Sequence, residues 1–404
     1  MKLLTDIEQQ LAYLQSANLK RRRRVTETPS EPRVTVDGHP MLAFCSNDYL
    51  GLAAHPQVAA ALREGTKIYG TGSGASHLIS GHSRAHALLE ERLADWMTAY
   101  IPEAQALFFC TGYMANLGVL TALAALQTTK AGASGTGTTI FSESLNHASL
   151  IDGARLSRAQ VQVYPHGDVL ALQAMLESSD AAGKIVVTDS VFSMDGDLAP
   201  LPALLDLCEK HDAWLVVDDA HGFGVLGEQG RGALEHFNLH SPNLVYMGTL
   251  GKAAGVAGAF VAAHASVIDW LIQKARPYIY STAAPPALAY ALLTSLEIIG
   301  GDEGMQRRRQ LQNLIEQLRQ DVHLSHWSLM SSQTAIQPIL IGDNAAAMAA
   351  SACLYQQGLW VPAIRPPTVP VGTARLRVTL SAAHSSDDVA CLIDALQTMQ
   401  AAHE

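Results

Sequence analysis

Two acids, a histidine and a lysine carry the clearest chemical signal in the chain. Asp218 and Asp219 close the apolar run Ala213-Trp214-Leu215-Val216-Val217, and His221 follows Asp218 by three residues. Lys252 sits in Gly248-Thr249-Leu250-Gly251-Lys252-Ala253-Ala254-Gly255. A lysine amine condenses with an aldehyde cofactor only when partly deprotonated, and burial moves its pKa in that direction. A carboxylate on a pyridine nitrogen keeps that nitrogen protonated, which makes the ring an electron sink for a carbanion. Asp218 and Lys252 suit these two tasks. The competing readings are that Lys252 is a solvated surface charge and that Asp218, or Asp219 in its place, caps a helix after the strand.

The elements that must position these groups are legible in outline. The run ending at Val217 is short and β-branched, which predicts a strand buried on both faces of a parallel sheet. Leu244-Val245-Tyr246-Met247 predicts a second strand, delivering Thr249 and Lys252 at its carboxyl end, where open α/β sheets bind ligands. Ala106-Leu107-Phe108-Phe109 predicts a third, turning into Thr111-Gly112-Tyr113-Met114-Ala115-Asn116. A strand that becomes a helix at a glycine offers amides and a favourable dipole to an anion, which marks Gly112 and Tyr113 as phosphate ligands. Further strands are expected at Thr139-Ile140-Phe141, before His147, and at Lys184 to Asp189, before Ser193. The alternation from about residue 60 to 280 predicts a mostly parallel α/β sheet.

Two motifs mislead. Gly222-Phe223-Gly224-Val225-Leu226-Gly227 fits the dinucleotide fingerprint, but Asp218 to His221 separate it from the strand, and Gly230 and Gly232 interrupt the helix that should follow. A nicotinamide-dependent dehydrogenase is therefore the weaker reading. Gly81-His82-Ser83-Arg84-Ala85 ends in alanine where a hydrolase nucleophile elbow needs glycine.

Composition narrows the classes. With 404 residues, 48% of them hydrophobic, the chain can bury a large core, and its net charge of -10 argues against non-specific nucleic-acid binding. Its five cysteines form no C-x-x-C pair, which predicts reduced thiols in a cytoplasmic protein and neither disulfides nor a cysteine zinc site. Asp6 and Glu8 interrupt any signal-peptide core, and no stretch has the length of an apolar membrane span.

The flanking segments add smaller signals. Leu4, Ile7, Leu11 and Leu14 predict an amphipathic helix from Leu3 to about Arg24 whose apolar face needs a partner. Arg21-Arg22-Arg23-Arg24 either ends that helix in harmony with its dipole or anchors an anion. The Gly, Ser, Thr and Ala of Thr128 to Thr139 predict a mobile surface loop without chemistry. In Ile364-Arg365-Pro366-Pro367-Thr368 two prolines stiffen the chain, so an adjacent arginine can offer its fork to a carboxylate at little ordering cost. Arg375 reads equally well as one end of a surface ion pair.

Asp218-Asp219-Ala220-His221-Gly222 together with Thr249-Leu250-Gly251-Lys252-Ala253 resembles the α-oxoamine synthase family of fold-type-I pyridoxal phosphate enzymes. Ala43 to Gly51, Gly70 to Ser76, Asn146 to Leu150 and Val191 to Asp197 are similar to further motifs of that family, so the resemblance covers nearly the whole chain. It implies an aminotransferase-like α/β fold: an N-terminal helical arm and lead-in segment over 1–58, a large cofactor-binding domain over 59–284 and a C-terminal α+β domain over 285–404.

The resemblance also implies roles. Lys252 would bond covalently to pyridoxal 5'-phosphate and act as general base, Asp218 would hold the pyridine nitrogen, and His147 would stack on the ring and manage protons. Gly112, Tyr113 and Thr249 would bind the cofactor, with Ser193 and His221 at its phenolic oxygen. Asn47 would face the amino-acid carboxylate, with Arg365 or Arg377 binding it, and Arg21 and Thr368 would serve the acyl substrate. The segment from Ile364 to Arg377 resembles the branch that joins L-alanine to a pimeloyl thioester in biotin biosynthesis, with loss of carbon dioxide and the thiol carrier. A sibling such as a glycine C-acetyltransferase would share every cofactor residue, whereas a non-catalytic partner subunit would have lost Lys252. A homodimer with active sites at its interface, and an acyl carrier protein as possible donor, are implied as well.

Overall fold

The computed structural model describes residues 2–126 and 137–401. They form two compact units. The larger comprises Leu52–Phe192 and Leu198–Arg308; the smaller comprises the residues up to Gly51, Ser193–Asp197 and the residues from Arg309 onward.

The larger unit is built on a seven-stranded sheet. Its spatial order is Ala104–Phe109, Ala259–His264, Leu244–Thr249, Trp214–Asp218, Gly183–Asp189, Thr138–Glu143 and Gln160–Tyr164. Among the described residues only Ala259–His264 runs against the others, so the sheet is mostly parallel, as expected. Val216, Val187, Ile140, Val245 and Val261 present one face of it to Val119 and Leu120 of the helix Gly112–Ala124 and to Leu271 of the helix Ala265–Lys274. Each such aliphatic side chain contributes about 1.5–3 kcal/mol on burial. Helix Gly112–Ala124 is apolar almost all round because it lies between the sheet and a second helix, Ala148–Ser157.

The G-x-G-x-x-G motif lies in turns and bends after Asp218, and the next helix is only the four residues Ala233–His236. Ser83 and His86 instead form a reciprocal cap on the helix Arg84–Met97, so the nucleophile-elbow likeness is a helix start. Pro285 and Pro286, the expected change of domain, open the helix Pro286–Gly300, and the larger unit continues to Arg308. The loop expected over Thr128 to Thr139 falls mostly outside the described residues; Thr138 and Thr139 already belong to a buried strand.

The smaller unit has a hairpin, Arg33–Val36 with His39–Ala43, turned by Asp37 and Gly38 with φ of 50° and 78°. A four-stranded antiparallel sheet follows in the order Ser328–Leu329, Ile336–Gly342, Ala374–Thr379, Ala363–Ile364. The N-terminal helix spans Lys2–Ser16, shorter than the expected reach to Arg24, because Asn18 takes a left-handed conformation (φ 56°) that ends it. The arginine run thus lies beyond the helix and is not its charged C-terminus. Arg24 pairs with Asp37 at 3.0 Å and covers the Tyr355 ring at 3.8 Å.

Candidate active site

In the larger unit, the parallel register sets Asp189 beside Asp218 and Asp218 beside Met247, so the strand ends converge on one cluster of polar side chains. Asp218 is buried. Its Oδ1 accepts the Ala220 amide at 3.0 Å and its Oδ2 accepts the Asn116 side-chain amide at 2.7 Å. Asn116 also donates to Ser149 Oγ at 2.8 Å. Among the described residues Asp218 belongs to no ion pair. A buried carboxylate of this kind gains from a cation placed against it.

His147 caps the helix Ala148–Ser157 and is fixed from both sides. Its amide donates to Asp189 Oδ2 at 2.6 Å, and its Nδ1 lies 2.7 Å from Ser149 Oγ. The residue is exposed by surface area, yet the protein packed around its imidazole lowers its pKa, opposed by the Asp218 charge and aided by that of Lys252. Asp189 is buried, and burial first, then the Asp218 charge, holds its pKa well above the ordinary carboxylate range.

Asp219 faces elsewhere. It accepts from the Ser190 hydroxyl, from Tyr246 at 2.6 Å and from the Ala233 amide at 2.7 Å, and burial pushes its pKa up to about 6 against those hydrogen bonds. Asp219 thus ties the strand end to the start of the short helix Ala233–His236, away from the cluster that holds Asp218.

Lys252 follows the strand Leu244–Thr249 in a tight turn and is half-buried, its Nζ 2.9 Å from His221 Nε2. Thr249 Oγ1 donates to the Gly258 carbonyl at 3.2 Å, which ties the two ends of the turn together. Gly255 is indispensable to it: φ is +69°, and a Cβ would stand 2.4 Å from the Leu52 carbonyl carbon and 2.5 Å from the Ala53 nitrogen. Gly255→Ala is expected to cost about 2–4 kcal/mol, read from a denaturant titration of the full chain.

Gly112 and Tyr113 open the helix whose fifth residue is Asn116. Thr111 accepts the Met114 amide at 3.2 Å, so the first turn is formed and its amino end carries the positive pole of the helix. Tyr113 is exposed and donates its hydroxyl to Asp152.

The smaller unit gathers the predicted substrate residues into two groups. Buried Arg377 donates Nε to the Ser193 carbonyl at 2.7 Å and Nη1 to Thr379 at 2.9 Å, and both terminal nitrogens lie 3.3 Å from Asn47 Oδ1. Ser193 thus meets Arg377 through its backbone. In the second group Arg21 reaches Thr368 Oγ1 at 3.4 Å, and Arg365 donates to the Asn18 carbonyl. Burial and the nearby Arg21 charge lower the Arg365 pKa. Arg375 is no surface pair: it is 3% exposed and binds Asp195 at 2.6 Å.

The comparisons separate branches that share this geometry. The profile of the family described as Aminotransferase class I and II matches residues 39–396. A solved serine palmitoyltransferase from S. paucimobilis, with bound pyridoxal phosphate and myriocin, superposes with a TM-score of 0.88 at 26% identity, covering 98% of this chain and 97% of its own. A solved 8-amino-7-oxononanoate synthase from Francisella tularensis gives 0.73 at 28% identity, over 89% and 97%. The backbone alone thus leaves the branch open. Sequence decides it: the 8-amino-7-oxononanoate synthase of Janthinobacterium sp. (strain Marseille) is 68% identical over 99% of both chains, and that of Bordetella petrii is 63% identical over 99% and 98%. The chain belongs to the 8-amino-7-oxononanoate synthase family.

Within that family frame, two members of the cluster had escaped the sequence reading. Asn116 is a buried polar residue in an otherwise apolar helix, four positions after Gly112 and so on the same face, and that pattern was the available signal. Asp189 ends a buried strand just as Asp218 does, and the two are register partners.

Proposed function

We infer that the chain is a pyridoxal 5'-phosphate-dependent acyltransferase that condenses L-alanine with a pimeloyl thioester, giving 8-amino-7-oxononanoate, carbon dioxide and the free thiol carrier in biotin biosynthesis. The observation that carries this is the 68% identity to a named synthase across 399 residues. The buried, doubly hydrogen-bonded Asp218 fits the cofactor, because a pyridinium N–H supplies the opposite charge that the carboxylate lacks among the described residues. Lys252 would anchor the aldehyde, and the amino end of helix Gly112–Ala124 would take the phosphate. Bound there, the cofactor supplies an electron sink for the amino-acid α-carbon.

The remaining steps fall to the chain's own groups. Lys252 Nζ takes the α-proton of alanine, with His221 beside it to orient the amine. His147 and Lys252 manage the proton that replaces carbon dioxide at that carbon. Arg377, already paired with Asn47, is assigned the alanine carboxylate, and the pairing supports it over Arg365 for that role. Two cations near Thr368, Arg21 and Arg365, suit an anion and are assigned to the distal carboxyl end of the pimeloyl group. Arg377→Lys is expected to raise KM for alanine on the order of 100-fold while leaving that for the thioester within a few-fold. Arg365→Lys should do the reverse in the same steady-state assay.

A thiol-release assay with alanine and with glycine tests the reaction. Release with alanine and pimeloyl thioester supports the proposal; preference for glycine with a short acyl thioester would move the chain to the sibling activity. Exposed Ile79 (80%) and Tyr280 (71%) in the larger unit, and Leu4 and Ile7 on the N-terminal helix, suit burial in a homodimer. The five free cysteines suit a reducing cytoplasm. Among the described residues no helix is long and apolar enough to cross a membrane. If an acyl carrier protein delivers the pimeloyl group, Arg22 and Arg23 are the basic residues that would meet it. Replacing both with glutamate is then expected to weaken the carrier-linked donor about tenfold more than the coenzyme A donor, and equal losses would sink the docking idea.

A further inference from the structure

One cluster plays no part in that reaction. His77, His82 and His86 come from ten consecutive residues. His77 opens the π-turn His77–Gly81, His82 closes it, and His86 lies in the first turn of helix Arg84–Met97. One ring nitrogen from each lies within 4.8 Å of the others. His77 Nδ1 and His82 Nδ1 are 3.0 Å apart. Two nitrogens bound at about 2.0–2.1 Å to one tetrahedral ion stand roughly 3.3 Å apart, so little movement separates the two arrangements.

The far sides of the rings are also arranged for a metal. His86 Nε2 is 2.9 Å from the Ala284 carbonyl, which makes it the N–H donor and leaves the lone pair on Nδ1. His82 Nε2 faces Glu90 Oε2 at 3.7 Å. A carbonyl or carboxylate behind an imidazole fixes its tautomer and raises its strength as a ligand. The His77 ring is held by stacking on Tyr278 at 4.6 Å with 10° between planes. His77 and His86 are buried, whereas His82 is exposed, so the cluster opens to solvent on the His82 side.

We propose that His77, His82 and His86 form a binding site for a divalent transition-metal ion, Zn2+ foremost, through their three Nδ1 atoms, with a fourth position open beside His82. The all-imidazole donor set selects Zn2+, Ni2+, Co2+ or Cu2+ over Mg2+ and Ca2+, which require oxygen. His86 Nδ1 accepts the Ser83 amide at 3.1 Å, and binding exchanges that hydrogen bond for the third metal bond.

The test is equilibrium dialysis of the chelator-stripped, alanine-free holoenzyme against Zn2+, with metal counted per chain and the bound ion read by X-ray absorption. The expected result is one tightly held zinc per chain with a nitrogen shell at about 2.0–2.1 Å. His82→Gln, at an exposed position that leaves the fold intact, should weaken it at least about 10–100-fold, as should His77→Gln, while exposed His323→Gln leaves it unchanged. No tight zinc in the unaltered enzyme, or the same affinity in His82→Gln and His77→Gln, would overturn the proposal.

Discussion

Lys252→Ala is expected to lower turnover on the order of 10⁴-fold or more, because in the proposed mechanism one amine would both anchor the cofactor and move the α-proton. The loss should be in kcat, and added alkylamine should restore only a small part of it. The fold should survive. Lys252 is half-buried on a turn that Gly255 and the Thr249–Gly258 hydrogen bond hold independently of its side chain. Borohydride reduction of the unaltered enzyme should fix the cofactor to the peptide containing Lys252, and the variant should take up no label. A variant that retained covalent cofactor at another lysine would remove Lys252 from its assigned place.

Asp218 and Asp189 should respond in opposite ways to the same change. With the cofactor placed as proposed, Asp218→Asn would remove the carboxylate that matches the pyridinium, and activity should fall on the order of 10³-fold while cofactor still binds more weakly. Burial and the Asp218 charge raise the Asp189 pKa, so Asp189→Asn, whose carbonyl oxygen can still accept the His147 amide, removes a charge that its surroundings already disfavour. Its activity should stay within about tenfold of the parent. Steady-state rates of the two purified variants settle the point, and equal losses would mean that the charges are assigned to the wrong acid.

The strands of the larger unit were legible because each is a short apolar run bounded by acids, glycines or threonines, and Asp218, Thr249 and Lys252 could be placed at strand ends on that ground alone. Asn116 was not, because its partner Asp218 is 102 residues away and only the folded sheet brings the helix over the strand. Arg377 and Arg365 could not be told apart in the sequence, since both lie near prolines and strands. In the structure Arg377, on the strand Ala374–Thr379, meets Asn47, whereas Arg365 meets the Asn18 carbonyl. The helix periodicity from Leu3 ran on past its true end because nothing apolar marks the stop; Asn18, by adopting a left-handed backbone, does. Asp195 and Arg375 are distant in sequence, which hid the buried character of their pair.

The family profile is named for aminotransferases, and the fate of the substrate carboxyl group is what separates that chemistry from decarboxylative condensation. The decisive measurement is therefore incubation of the enzyme with L-alanine labelled with ¹³C at the carboxyl carbon and a pimeloyl thioester, following the label and the thiol together. The account predicts one labelled carbon dioxide for each thiol released and an unlabelled ketone product, all dependent on Lys252. Label retained in pyruvate, with no carbon dioxide and no thiol, would contradict it.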